Sequence, residues 1–262
     1  MNLLLTIIIF SILGGVVSLV GGALLLTRSR FVYKFSHYLS SFAAGSLLGA
    51  AFFDLLPEAI HEADAVGWDH SVVFLLVLSG IIFFFLLERF LHWFHHHDFE
   101  EHEIKNRPIV PLVIIGDTVH NFVDGIAIAA TFMVSVPAGI ITTLAVGAHE
   151  IPQEIGDFGV LLKNGLSRFK VLYINFFSAL AAVLGATIAF FLGGSVTGLV
   201  VVFLSISAGF FLYIALSDLI PEIHHENRKG MAFWETVCLI FGVLAIYFSL
   251  YFLQLMFPSI SH

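Results

Sequence analysis

Apolar residues run through this chain in windows of about 20, separated by short polar breaks, which is the length of a helix that crosses a bilayer. Eight such windows are predicted, at about 3–26, 36–60, 71–94, 109–133, 137–162, 169–193, 198–222 and 232–257. The fifth is the least apolar, because a polar cluster lies inside it. The first has no basic stretch ahead of it, so it is expected to be a retained helix rather than a cleaved leader. The fold these windows predict is an all-α polytopic membrane protein, a single transmembrane unit over 1–262.

Composition agrees. The chain is 59% hydrophobic and 11% charged, with a mean hydropathy of +0.99, which leaves too little polar surface for a water-soluble domain of this length. The net charge of −8 gives no reason to expect a nucleic-acid partner. The lone cysteine, Cys238, has no disulfide partner within the chain and excludes a thiolate-only metal site.

The basic residues fix an orientation. Arg28, Arg30 and Lys34 fall between spans 1 and 2, and Arg89, Lys105 and Arg107 around the 3–4 loop. Lys163, Arg168 and Lys170 fall between spans 5 and 6, and Arg228 and Lys229 between spans 7 and 8. All 11 lie on one side of an eight-span chain, and the positive-inside rule then puts both termini outside.

A repeat is hidden in this order. Ala44-Gly45 and Asp54-Leu55-Leu56-Pro57-Glu58 with His61-Glu62 close span 2; Ala208-Gly209 and Asp218-Leu219-Ile220-Pro221-Glu222 with His225-Glu226 close span 7. The charge map sets the two copies at opposite faces, the pattern of an inverted repeat. Spans 1–3 and 6–8 would be the two halves, with spans 4 and 5 between them in a 3+2+3 arrangement. The acids and histidines closing each copy read equally well as cation collectors at two mouths or as solvated helix ends.

Two polar clusters interrupt the apolar windows. Span 4 holds Asp117, His120, Asn121 and Asp124; span 5 holds His149, Glu150, Gln153, Glu154 and Asp157. Ionisable groups in lipid cost about 2.5–3.5 kcal/mol each on insertion scales, and such residues mark ion or substrate paths. Residues four apart share a helix face, which pairs His120 with Asp124, His149 with Gln153 and Glu150 with Glu154. His120 lies ~16 Å and His149 ~18 Å from the start of its span, so both sit near mid-depth. A lone His or Asn in such a helix is usually interhelical glue, but this many acids facing one another call for a cation. Mixed nitrogen and oxygen donors suit Zn²⁺, and also Fe²⁺, Mn²⁺, Co²⁺ and Cd²⁺. Pro152 is expected to open span 5 beside His149 by freeing the carbonyl of Ala148, and Gly125 and Gly156 to allow close helix approach. Glu88 reads as an interfacial group, and Asp117 either as that or as part of an inner path.

His120-Asn121-x-x-Asp124-Gly125 together with His149-Glu150-x-Pro152-x-Glu154-x-Gly156-Asp157 resembles the paired motifs of the ZIP (Zrt-/Irt-like) metal transporters, in the group with His-Glu-x-Pro-x-Glu-x-Gly-Asp on the fifth helix. The resemblance covers most of the chain. It implies uptake of zinc or related metals into the cytosol, through a site between helices 4 and 5 that is sometimes binuclear, by alternating access. It implies a multi-pass protein of a plasma or inner membrane, with the metal as cargo and no cofactor. Carried over, His120, Asp124, His149 and Gln153 would form one metal position. Asn121, Glu150 and Glu154 would form the adjoining one, with Asp124 able to bridge. Gln153 departs from the His or carboxylate common at its position, and a neutral amide is the weaker ligand.

A homodimer is allowed, because lipid-facing and subunit-facing surfaces look alike in an apolar sequence. The alternative from another class is an intramembrane zinc-dependent hydrolase, since His149-Glu150-x-x-Gln153 is one residue from His-Glu-x-x-His. Gln153 in place of the second His, and Pro152 inside the turn, count against it. A passive metal channel is a third reading, although tight mid-depth sites slow conduction.

The 3–4 loop, about 95–108, carries His95, His96, His97 and His102 among acids, a composition that suits metal binding. Deleting 95–103 is expected to change the apparent affinity of metal uptake and leave uptake itself intact. Complete loss of uptake by a well-folded deletion protein would show that essential ligands lie in the loop.

Overall fold

The computed structural model describes residues 2–96, 109–224 and 231–256. The His-rich loop beyond His96, and Lys105, Arg107, His225, Glu226, Arg228 and Lys229, lie outside these residues. Among the described residues all regular structure is helical: α1 (Leu3–Ala50), α2 (Leu56–Val66), α3 (His70–His96), α4 (Ile109–Val134), α5 (Val136–Lys163), α6 (Arg168–Gly193), α7 (Leu199–Tyr213), α8 (Ile220–His224) and α9 (Met231–Met256). Six stretches are long and apolar enough to cross a membrane: His37–Val66, His70–Phe90, Val113–Val134, Arg168–Gly193, Leu199–Leu219 and Met231–Phe252. α5 is long enough but is not among them, because it carries the second polar cluster.

The helical backbone of α1 runs on through 27–35, where two separate spans were expected. No Gly or Pro lies between Ala23 and Ala43, so no local signal stops the helix there. Tertiary contacts divide it all the same. Phe10 stacks on Phe132 with ring centroids 5.0 Å apart, and Leu39 packs on the buried group of Ile155, Phe158, Leu161 and Val171 near the other end of α5. Asp54 then returns to meet Thr142. α1 thus has two differently packed arms, the first carrying Phe10 and the second Leu39.

Each copy of the repeated motif contains a wider π turn, Ala51–Leu55 ahead of Pro57 and Ile214–Leu219 ahead of Pro221. A proline ring collides with the carbonyl four residues back. The backbone relieves this by bonding five residues back, from Leu56 N–H to the carbonyl of Ala51 and from Ile220 N–H to that of Ala215.

Packing is set by small residues. A Cβ at Gly125 would lie 1.9 Å from the carbonyl oxygen of Ala182, and one at Gly185 2.0 Å from that of Phe122, so α4 and α6 touch backbone to backbone. Gly45 and Gly242 join the second arm of α1 to α9, and Gly80 and Gly209 join α3 to α7 in the same way. Gly156, expected to serve such a contact, instead faces open space; its place on α5 points away from every neighbouring helix. α5 also continues as one helix through position 152. One missing N–H bond, held between intact turns, does not break it.

Ser135 separates α4 from α5 and caps the latter by accepting from Ala138 N–H at 3.2 Å. This one-residue turn makes α4 and α5 an antiparallel hairpin.

Gly185→Ala is expected to lower stability by about 1–3 kcal/mol, because the new methyl group has only backbone to push against. Gly156→Ala, facing open space, is expected to be neutral or mildly stabilising. Melting both variants in detergent tests this, and equal melting temperatures would contradict the packing described.

Candidate metal centre

The hairpin sets the depth of the two histidines. His120 is 14 residues before Val134 and His149 is 13 after Val136, so both lie ~20 Å from the turn. Their side chains meet: His120 Nε2 and His149 Nε2 are 2.9 Å apart. Asp124 Oδ2 is 3.2 Å from His149 Nε2 and 3.5 Å from His120 Nε2. Glu150 Oε1 is 3.5 Å from His120 Nε2 and 3.9 Å from His149 Nε2. One donor atom from each of these four residues lies within 4.8 Å of all the others.

These separations fit one ion. A tetrahedral Zn²⁺ with bonds of about 2.0–2.1 Å holds its ligand atoms about 3.3 Å apart, and the observed distances bracket that value. His149 is prepared for such a role. Its Nδ1 lies 3.1 Å from the carbonyl oxygen of Ala145, which can only accept, so Nδ1 carries the hydrogen and Nε2 turns its lone pair into the cluster. Two neutral imidazoles and two carboxylates balance a divalent charge.

The carboxylates need that balance. Both oxygens of Asp124, Glu150 and Glu154 are buried without a hydrogen-bond partner, as is Oδ2 of Asp117. Their residues are 0–4% exposed. Buried charge without compensation is strongly unfavourable, and a bound cation supplies the compensation.

Not every predicted ligand joins the cluster. Glu150, placed by the family resemblance in the adjoining position, is drawn in beside His149. Gln153 lies one turn further along α5 and lines a cavity beyond the cluster. Asn121 turns its amide to Asp117, donating from Nδ2 to Oδ1 at 2.9 Å. Glu154 is wholly buried. Helix periodicity orders residues by face, but a side chain three or four bonds long chooses between neighbouring positions according to what surrounds it.

Sequence reasoning also missed the third wall. Phe210 and Phe211 of α7 pack on His120 and His149 with ring centroids 4.9 and 5.8 Å apart. They follow Ala208-Gly209 of the repeated motif, whose glycine brings α7 against α3; that position was the available signal.

Among the described residues the cluster borders a cavity on one side. A cavity of about 340 Å³ leads from His120 past Asp117, Gln153 and Asp157 to Glu88, Tyr213 and Asp218. Tyr213 donates its hydroxyl hydrogen to Glu88 Oε2, and Ser217 donates to Asp218 Oδ1 at 2.6 Å. Glu88 thus lines this cavity. Toward the hairpin turn, Ile128, Phe132, Ile141 and Phe211 are buried. Beyond them lies a smaller cavity of about 110 Å³ lined by Asp54, Glu58, His61, Glu62 and Ser135. There Thr142 Oγ1 donates to Asp54 Oδ2 at 2.7 Å.

Residues 2–111 and 95–250 match the family model described as ZIP Zinc transporter. The chain belongs to the ZIP zinc transporter family. It is 35% identical over 179 residues to zinc transporter ZIP10 of Homo sapiens, covering 59% of this chain and 22% of that protein. Zinc transporter ZIP13 of Pongo abelii is 34% identical over 225 residues, covering 81% and 66%. Zinc transporter ZIP4 of Rattus norvegicus is 30% identical over 282 residues, covering 81% and 43%. The chain thus spans between about a fifth and two thirds of these relatives. The ZIP family is one of transporters and not of enzymes, and with it the hydrolase alternative falls.

Glu150→Ala is expected to weaken Zn²⁺ binding by purified protein at least about tenfold, and Gln153→Ala by less than about threefold, since only Glu150 reaches the cluster. Equilibrium dialysis of the two variants checks this; the reverse ranking would move the site one turn along α5.

Proposed function

We propose that this chain carries divalent metal ions, zinc foremost, across a membrane into the cytosol by alternating access. The observation that supports this best is the His120, Asp124, His149 and Glu150 cluster, mid-depth between α4 and α5 and continuous with one cavity. Asn121 and Glu154 extend it to an adjoining position, and Gln153 forms its inner edge. Iron, manganese, cobalt and cadmium share the coordination chemistry needed.

The topology proposed is eight spans in a 3+2+3 arrangement with both termini outside. Packing supports it. If spans 1, 2 and 3 exchange with 6, 7 and 8, and α4 with α5, each main contact maps onto another. The first arm of α1 packs on α5 as α6 packs on α4, and the second arm packs on α9 as α7 packs on α3. The matching π turns at the two motif copies agree with the same symmetry. In this orientation the 340 Å³ cavity faces the cytosol and the buried apolar layer closes the outer side, an inward-open state. The exposed apolar faces of α3, α6 and α9 would meet lipid or, in a homodimer, a second copy.

Zn²⁺ entry into sealed liposomes bearing purified protein, followed with an internal zinc dye, tests this reading. Saturable entry is expected, lost by at least about 100-fold in His120→Ala and Asp124→Ala proteins that remain folded in the membrane. Wild-type rates in both variants would remove the cluster from the transport path, and non-saturable entry would favour a channel.

A further inference from the structure

The two copies of the repeated motif carry matching π turns, yet their aspartates are used differently. Asp54 is 2% exposed and accepts from Thr142 Oγ1 on α5 at 2.7 Å. Asp218, its counterpart, is exposed to the 340 Å³ cavity and accepts from Ser217, its neighbour in sequence.

Thr142 departs from the habit of the hydroxyls around it. Thr131, Thr143 and Thr187 each donate to the carbonyl four residues back, the local partner open to any Ser or Thr in a helix. Thr142 is wholly buried and donates instead to a carboxyl 88 positions away in the chain. A buried bond of this kind is costly to break, because it leaves the acceptor without a partner.

The bond lies where an outer path to the cluster would have to open. Thr142 precedes His149 by seven residues, two helix turns, so the two share a face of α5 ~10.5 Å apart along its axis. Asp54 also lines the 110 Å³ cavity with Glu58, His61, Ser135 and Ala138. α5 supplies two of the four cluster donors, whereas Asp54 follows the second arm of α1, whose backbone meets α9 at Gly45 and Gly242. The bond therefore ties the donor hairpin to a flanking half at the outer end.

The inner end is built differently. α4 and α5 repeat each other around their histidines, His120-Asn121-x-x-Asp124 beside His149-Glu150-x-x-Gln153. Seven residues before His120 stands Val113. It lines the inner cavity with Asp218 and has no hydroxyl to give.

We infer that the Asp54–Thr142 hydrogen bond is a latch holding the outer side shut, and that the apolar Val113 at the matching inner position biases the carrier toward its inward-open form. Asp54 and Thr142 are positioning residues: they set how often the outer side opens and are not ligands of the cluster. The use made of that opening rests on the alternating-access reading; the hold on the outer mouth is measured apart from it.

Spin labels at Ala65→Cys on α2 and Val136→Cys beside the hairpin turn, both exposed positions, report the width of this mouth by pulsed electron–electron resonance. The full chain is used in lipid nanodiscs, with Cys238→Ser. The unlatched sequence is expected to be rarer than the latched one in wild type, giving one dominant short distance. Thr142→Val, which removes the donor, should raise the longer-distance population about fivefold or more relative to the short one. Thr142→Ser keeps the hydroxyl and should hold the wild-type distribution. Asp54→Ala should act like Thr142→Val, and the double variant should widen the mouth no further than either, since both break one bond. If Thr142→Val fails to fold, Asp54→Ala compared with Thr142→Ser decides. Zn²⁺ binding by equilibrium dialysis should stay within about threefold in these variants, as expected of sites that do not touch; a larger loss in Asp54→Ala would make Asp54 a ligand and overturn the latch. So would wild-type distances in both Thr142→Val and Asp54→Ala, and saturable Zn²⁺ entry into liposomes by wild type would then leave alternating access standing without it. A widened mouth in a chain that moves no Zn²⁺ would keep the latch and remove the transport reading.

Discussion

Charge in a medium that cannot solvate it is the constraint around which this molecule is organised. Asp117, Asp124, Glu150 and Glu154 sit 0–4% exposed inside a helical bundle, and the nitrogen groups that reach Asp124 and Glu150 among the described residues are imidazoles. Carboxylates held this way repel one another with little screening. A bundle that keeps them must either hold protons on them or receive a cation. Donor separations of 2.9–3.9 Å around two imidazoles and two carboxylates make a small divalent ion the better answer.

The rest of the fold serves to hold that arrangement. α4 and α5 carry every donor, and neither is stable alone in lipid with its polar face exposed. The one-residue turn at Ser135 fixes their relative depth, which brings His120 and His149 level. Gly125 and Gly185 let α6 lie directly on the backbone of α4, while Phe210 and Phe211 cover the imidazoles from α7. Among the described residues, apolar packing lies on one side of the site and an acidic cavity on the other. The two Pro-induced π turns set Asp54 and Asp218 near opposite ends of this path, one bonded into α5 and the other facing the open cavity.

Much of this was legible beforehand, for definite reasons. A helix in lipid must satisfy its backbone internally, so apolar windows of the right length became helices, and 109–133 and 137–162 appear as Ile109–Val134 and Val136–Lys163. Ionisable residues are costly enough in such windows that the polar clusters at 117–124 and 149–157 stood out. The 27–35 stretch was harder, because polar residues interrupt a hydropathy window without interrupting a helix. Gly156 was misread as a packing contact because a glycine on a helix looks the same whether its open face meets another backbone or nothing.

The sequence by itself determined the class of molecule, the helices, the polar clusters and the family motifs, since all of these follow from local composition and from periodicity along one helix. Only the tertiary structure decided which donors converge. Glu150 rather than Gln153 joins the two histidines, Asn121 turns to Asp117, and Asp117 and Asp157 come to share a cavity wall. These are distances between side chains on different helices, set by rotation, depth and the rings packed around them, and no spacing along the chain encodes them.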